Sequence, residues 1–103
     1  MAVGLFVVRA TITREREAAF NKWYNEEHVP QVLRYNGAVS ARRYRNLTGE
    51  DKYHYMAVYE FASEEVLRKF LESDGLKALR SEYDRHFGDV SERIGQGWVQ
   101  VFP

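Results

Sequence analysis

The chain has 103 residues, 45% of them hydrophobic and 29% charged, the size and make-up of one soluble globular domain over 1–103. Lysine plus arginine equals aspartate plus glutamate at 15 each, so the basic excess of a nucleic-acid binder is missing. Cysteine is absent, which excludes disulfide scaffolds, thiolate metal sites and thiol nucleophiles, and is compatible with a reducing, cytoplasmic setting.

Residues 3–11 (VGLFVVRAT) form the first predicted strand. Leu5 and Val7 fall on one face, Phe6 and Val8 on the other. A strand apolar on both faces is covered on both. One cover is the protein's own helices; a chain this short has little material for the second, which points to a homodimer. The apolar opening at residues 1–8 lacks a basic n-region and reads as this strand, not as a signal peptide. No run approaches the roughly 18 apolar residues of a membrane helix, so neither a membrane nor a nucleic acid is expected as a partner.

Thr13 offers an N-cap, with Glu15 and Glu17 near the positive end of a helix. Phe20, Trp23, Tyr24, Glu27 and His28 then share one helix face. Pro30 predicts a break or kink around His28, one further turn up to Tyr35, and an end at Asn36-Gly37. Residues 38–47 and 53–61 read as strands around a turn at 48–52. On the latter strand Tyr53, Tyr55, Ala57, Tyr59 and Phe61 alternate with His54, Met56, Val58 and Glu60. Ser63 caps a second helix with Val66, Leu67, Phe70 and Leu71 as its stripe, Asp74-Gly75 breaks it, and a third helical piece runs to Gly88. After a polar stretch, residues 97–102 (GWVQVF) read as the last strand. The order is βαββαβ, an α+β ferredoxin-like pattern. Right-handed crossovers put both helices on one face of a four-stranded antiparallel sheet.

His28 is the leading candidate for chemistry. It lies on the inward helix face one turn after Tyr24, where carbonyls freed at the proline break can orient an imidazole and the helix end favours its protonated form. The plainer role is a structural clasp on that break. Glu26, Glu27 and His28 are sequential neighbours that diverge around a helix, and His54 and His86 complete no ligand spacing, so no metal is expected. Tyr55 and Tyr59, with Tyr24 and Tyr83, bring more phenol than a core needs; a pocket for an oxygen-rich cyclic substrate would use them. His86 and Trp98 complete the candidate lining, Trp98 with packing as its default role. Arg42, Arg43 and Arg45 read first as charges that solvate an edge strand.

The stretch 20–44, FNKWYNEEHVPQVLRYNGAVSARRY, resembles the EthD-like proteins of the dimeric α/β-barrel superfamily. Their pattern is W-Y-x-x-x-H-x-P, then a glycine, then R/K-x-Y on a strand. Trp23, Tyr24, His28, Pro30, Gly37 and Arg42 to Tyr44 match it in order; Asn36 stands where proline is common. Ser73-Asp74-Gly75 and residues 83–87 (YDRHF) resemble the family's later helices. The resemblance implies a homodimer whose two sheets close into a barrel, and a cleft between each subunit's helices and sheet. It further implies a cofactor-independent lyase, isomerase or cyclase in which His28 moves a proton on a small cyclic or aromatic substrate. Tyr24, Tyr55, Tyr59 or Tyr83 would hold the developing enolate. The alternatives are a monooxygenase of the same superfamily acting on a quinol or haem, and a non-catalytic small-molecule-binding protein.

Overall fold

The computed structural model describes residues 2–103. Strand β1 (Gly4–Ala10) leads through a 3-10 turn (Arg14–Arg16) into helix α1 (Glu17–Trp23). A wider π turn (Tyr24–His28) continues without interruption into α2 (Val29–Leu33). Then come β2 (Ala38–Arg45), β3 (Tyr55–Phe61), α3 (Glu64–Leu71), α4 (Asp74–Phe87) and β4 (Arg93–Val99). The sheet order is β2-β3-β1-β4, antiparallel throughout. This is the ferredoxin-like fold that the βαββαβ pattern predicts, with the helices on one face.

Alternation decides which side chains meet the helices. On β1, Phe6, Val8 and Ala10 are buried while Leu5, Val7 and Arg9 are half-covered. On β3 the buried set is Ala57, Tyr59 and Phe61, in register with them as Val8↔Ala57 and Phe6↔Tyr59. The Tyr55/Tyr59 face is therefore the helix face, as expected. Phe20, Trp23, Tyr24, Val32, Leu67, Phe70, Leu76, Tyr83 and Phe87 close the core from the helices.

Strands β1, β2 and β3 fall within one or two residues of the sequence reading; three features differ more. First, Pro30 does not break the helix: Val29 stays helical at φ −59°, ψ −48°, and its N–H donates to the Tyr24 carbonyl five residues back. A proline ring clashes with the carbonyl four residues before it; widening the turn moves that carbonyl aside. Second, Asp74-Gly75 opens α4 and does not end α3. Ser73 accepts the Leu76 N–H at 3.1 Å and so caps a new helix, with Asp74 in its first turn. Third, β4 begins at Arg93, four residues before the predicted start, and ends at Val99. Its helix-facing positions include Gly95 and Gly97, paired with Val8 and Phe6. A Cβ at Gly95 would stand 3.0 Å from the Phe6 ring, and one at Gly97 3.1 Å from Leu71, so bulk is excluded there. Helix α2 ends at Leu33, two residues before the expected Tyr35; Gly37 lies in the turn that follows, and its φ of +101° is a backbone state that favours glycine.

Candidate functional site

The π turn sets the site. It carries Tyr24 and His28 on the side facing the sheet, and both are buried. His28 is 8% exposed. Its ring stacks on Trp23 at 4.6 Å and 18°, and meets the edges of Tyr24 at 4.9 Å and Tyr83 at 6.0 Å. Among the described residues nothing hydrogen-bonds the ring. Nδ1 is sealed from solvent without a partner, which leaves Nε2 as the nitrogen that a ligand can reach.

Beside it lies a cavity of about 280 Å³ between the π turn, α4 and the sheet. Its walls are both apolar and phenolic: Phe6, Val8, Leu76 and Leu79 against Tyr24, Tyr59 and Tyr83. Gly95 leaves its floor open, and Arg80 and Arg93 complete the lining. Tyr59 keeps a sealed, unpartnered hydroxyl. It sits near enough to Tyr24 for each phenol to affect the other's ionisation, but no well-aligned hydrogen bond joins them. Tyr83 is already engaged: Ser91 Oγ donates to the Thr11 carbonyl at 2.6 Å, so the Tyr83 hydroxyl, 2.6 Å from Ser91, is the donor in that pair.

Burial dominates ionisation here. It raises the pKa of Tyr24, Tyr59 and Tyr83, so all three stay protonated and able to donate. It lowers His28 from 6.5 to about 4, helped by the positive charges of Arg93 and Arg43. The helix-end dipole that would favour the protonated form is missing, because the helix runs on past His28. The imidazole is neutral at neutral pH, and stability depends on that. Between pH 4 and 6.5 the unfolded chain takes up a proton at His28 that the folded chain refuses, so stability falls as pH drops through this window. The fall at this residue is about 3 kcal/mol. Urea denaturation at pH 7, 5.5 and 4.5 should show this slope in the native protein, and a shallower one in His28→Gln.

On the far side of Tyr24 the edge strand supplies an inward arginine. Arg43 lies 4.4 Å over the Tyr24 ring and donates to Asn25 Oδ1 at 2.8 Å and Asn21 Oδ1 at 2.9 Å. It was expected in solvent; Ala41 and Arg43 point to the helices, while Ser40, Arg42 and Tyr44 point away. Its contacts to Asn21 and Asn25 tie β2 to α1 and the π turn.

Of the predicted site residues, His28, Tyr24, Tyr59 and Tyr83 converge on the cavity. Tyr55, His86 and Trp98 do not. Tyr55 shares the face of Tyr59 but its hydroxyl donates to Glu17 Oε2 at 2.5 Å and accepts from Asn21 at 3.1 Å. His86 flanks the outer side of Trp23, 5.2 Å away, and faces Glu82. Trp98 pairs with Leu5 on the opposite sheet face and is 55% exposed. His54 lies with Met56 and Arg9 in a separate groove, away from His28. Arg80, Arg93 and Gly95 were missed. For Arg93 and Gly95 the one signal was that a strand pairing with β1 must put every second residue of 93–99 under the helices; for Arg80 it was its place on α4 one turn after Leu76 and one turn before Tyr83. Among the described residues no three His, Asp or Glu side chains are placed to hold a metal ion, and no helix is long and apolar enough to cross a membrane.

The chain belongs to the family described as a domain of unknown function, DUF4286, which it matches over residues 3–93. No curated protein matches it in sequence. Several solved structures share its fold. An ethyl tert-butyl ether D (EthD) family protein from Bacillus halodurans is 21% identical, with a TM-score of 0.66 over 93% of this chain and 97% of that one. A DABB family protein with a ferredoxin-like fold from Mesorhizobium loti is 15% identical, with a TM-score of 0.75 over 99% and 100%. SnoaB, a cofactor-independent oxygenase from Streptomyces nogalater, is 15% identical, with a TM-score of 0.64 over 100% and 97%. The fold is thus that of the EthD-like and DABB proteins.

Proposed function

We propose that this protein is a small cofactor-independent enzyme that moves a proton on a cyclic, oxygen-rich substrate, as a lyase, isomerase or cyclase. One observation carries the reading: a neutral imidazole without a hydrogen bond faces the same cavity as two protonated phenols, Tyr24 and Tyr59. Buried polar groups normally find partners; the Nε2 side of this imidazole, left without one at the cavity, is where a ligand can supply it. His28 takes the proton from carbon next to a carbonyl. Tyr24, backed by Tyr59, donates to the oxygen on which charge develops. A base with a pKa of about 4 holds that proton only beside the anion it has made, so the proton returns readily to the carbon skeleton. The test is solvent deuterium incorporation into a panel of cyclic 1,3-diones and lactones, read by proton NMR. Incorporation that needs His28 supports the reading; none across the panel contradicts it.

The likeness to SnoaB favours a second reading, in which a phenol or quinol deprotonated by His28 reacts with dioxygen as second substrate. Oxygen uptake without added cofactor would select it.

Tyr59→Phe isolates the phenol. Removing a buried, unpartnered hydroxyl should leave stability unchanged or raise it by up to about 1 kcal/mol, while turnover falls. Denaturant midpoints alongside rates check this; a large loss of stability would show that the hydroxyl has a structural partner.

We also infer a homodimer through the outer sheet face. Leu5, Val7, Met56 and Val58 are only half-covered there, beside exposed Ile94, Trp98 and Tyr44. A contiguous apolar face of this kind is uncommon on a soluble monomer. Sedimentation equilibrium should give twice the 12.1 kDa chain mass at micromolar concentration; a monomer would refute it.

A further inference from the structure

We propose that the His28 cavity selects an acid-bearing ligand, a small one- or two-ring carboxylate whose negative group is held at the rim by Arg93 and Arg80. The inference rests on the functional reading above and adds the substrate's charge and size. The chain is electrically balanced overall, yet the cavity lining holds two arginines and no aspartate or glutamate. Arg93 is fixed and only partly used. It lies 4.1 Å over the Tyr83 ring, and its Nη1 bonds Asp84 Oδ1 at 2.7 Å. Its remaining N–H groups have no protein acceptor among the described residues, and a guanidinium offers five donors in a fork that suits a carboxylate. Arg80, one turn before Tyr83 on the same face of α4, has no acidic partner within 4 Å among the described residues, whereas Arg68, Lys69, Lys77 and Arg85, the other lysines and arginines of α3 and α4, each have one three or four residues away. An unpaired cation beside a fixed one, over an apolar cavity, is the arrangement that orients an amphiphilic anion: acid at the rim, ring against Val8, Leu76 and Leu79, reacting carbon toward His28. A volume of about 280 Å³ lies at the lower end for ligand pockets, which limits the body to one or two fused rings.

The experiment is calorimetric titration of the full chain with 2-naphthoate and with its uncharged isostere naphthalene-2-carboxamide, at low salt. The acid should bind at least about tenfold tighter, the size of a charge-assisted pair. Arg93→Met and Arg80→Met should each erode that preference while leaving amide binding in place. Arg93 also packs on Tyr83, so Arg80→Met decides alone if Arg93→Met does not fold. Equal binding of acid and amide, or a preference that survives the substitutions, overturns the inference and leaves the cavity as a neutral-ligand site. Binding of neither compound overturns it together with the functional reading on which it rests.

Discussion

His28→Ala is expected to lower turnover by about 10²–10⁴-fold, the usual contribution of a positioned acid or base. The loss of stability at pH 7 should be no more than about 1–2 kcal/mol. The two numbers separate because the ring makes no hydrogen bond that folding needs; its main contacts are the faces and edges of Trp23, Tyr24 and Tyr83. His28→Gln sharpens the comparison. Glutamine fills much of the same space and keeps hydrogen-bonding capacity, but cannot take up a proton near neutral pH. It should fold normally and be as inactive as the alanine variant. A glutamine variant that retained most of the activity would reduce His28 to a packing residue.

Phe20→Ala should be the most damaging core substitution, at about 3–5 kcal/mol. Phe20 is fully buried and lies between Tyr24 at 5.0 Å, Phe87 at 5.2 Å, Tyr55 at 6.0 Å and Tyr83 at 6.1 Å. These rings come from the π turn, α4 and β3, so the void would loosen the wall that holds Tyr24 and Tyr83 at the cavity. Against a typical total of 5–15 kcal/mol, the variant should be partly unfolded at 37 °C or lose its ligand response before it melts. Thermal melts followed by near-ultraviolet circular dichroism check this; a midpoint within a few degrees of the native protein would contradict it.

The legible parts of the sequence were those where a period repeats. Alternation separated the two faces of β1 and β3, the run of Phe61 into the next helix picked out the Tyr55/Tyr59 face as the covered one, and the spacing of Phe20, Trp23, Tyr24 and His28 put the imidazole on the inward helix face. Single residues misled where their average preference lost to context. Pro30 argues for a break, but five residues of wider turn accommodate its ring. Asp74-Gly75 argues for an interruption, and the helix is interrupted, but at Glu72 and Ser73; Ser73 converts the pair itself into a first turn. Arg43 read as solvated because charges on an edge strand usually are; it is in fact turned inward over the Tyr24 ring. The first half of β4 was hidden because Gly95 leaves a helix-facing position bare, with no apolar signal to count. The catalytic candidate was thus readable from one helix, whereas Arg93 and Gly95, which help charge and open its cavity, come from the strand whose pattern was silent.

The central claim is that His28 stands neutral and unbonded in an open cavity. It is tested most directly by two-dimensional proton–nitrogen NMR of the imidazole rings between pH 3.5 and 8, with and without 2-naphthoate. The account predicts a His28 ring that stays neutral until about pH 4 in the free protein, and whose titration moves upward when the anion binds beside it. A His28 ring already charged at pH 6, or one whose signals do not respond to any ligand that the protein binds, would contradict it.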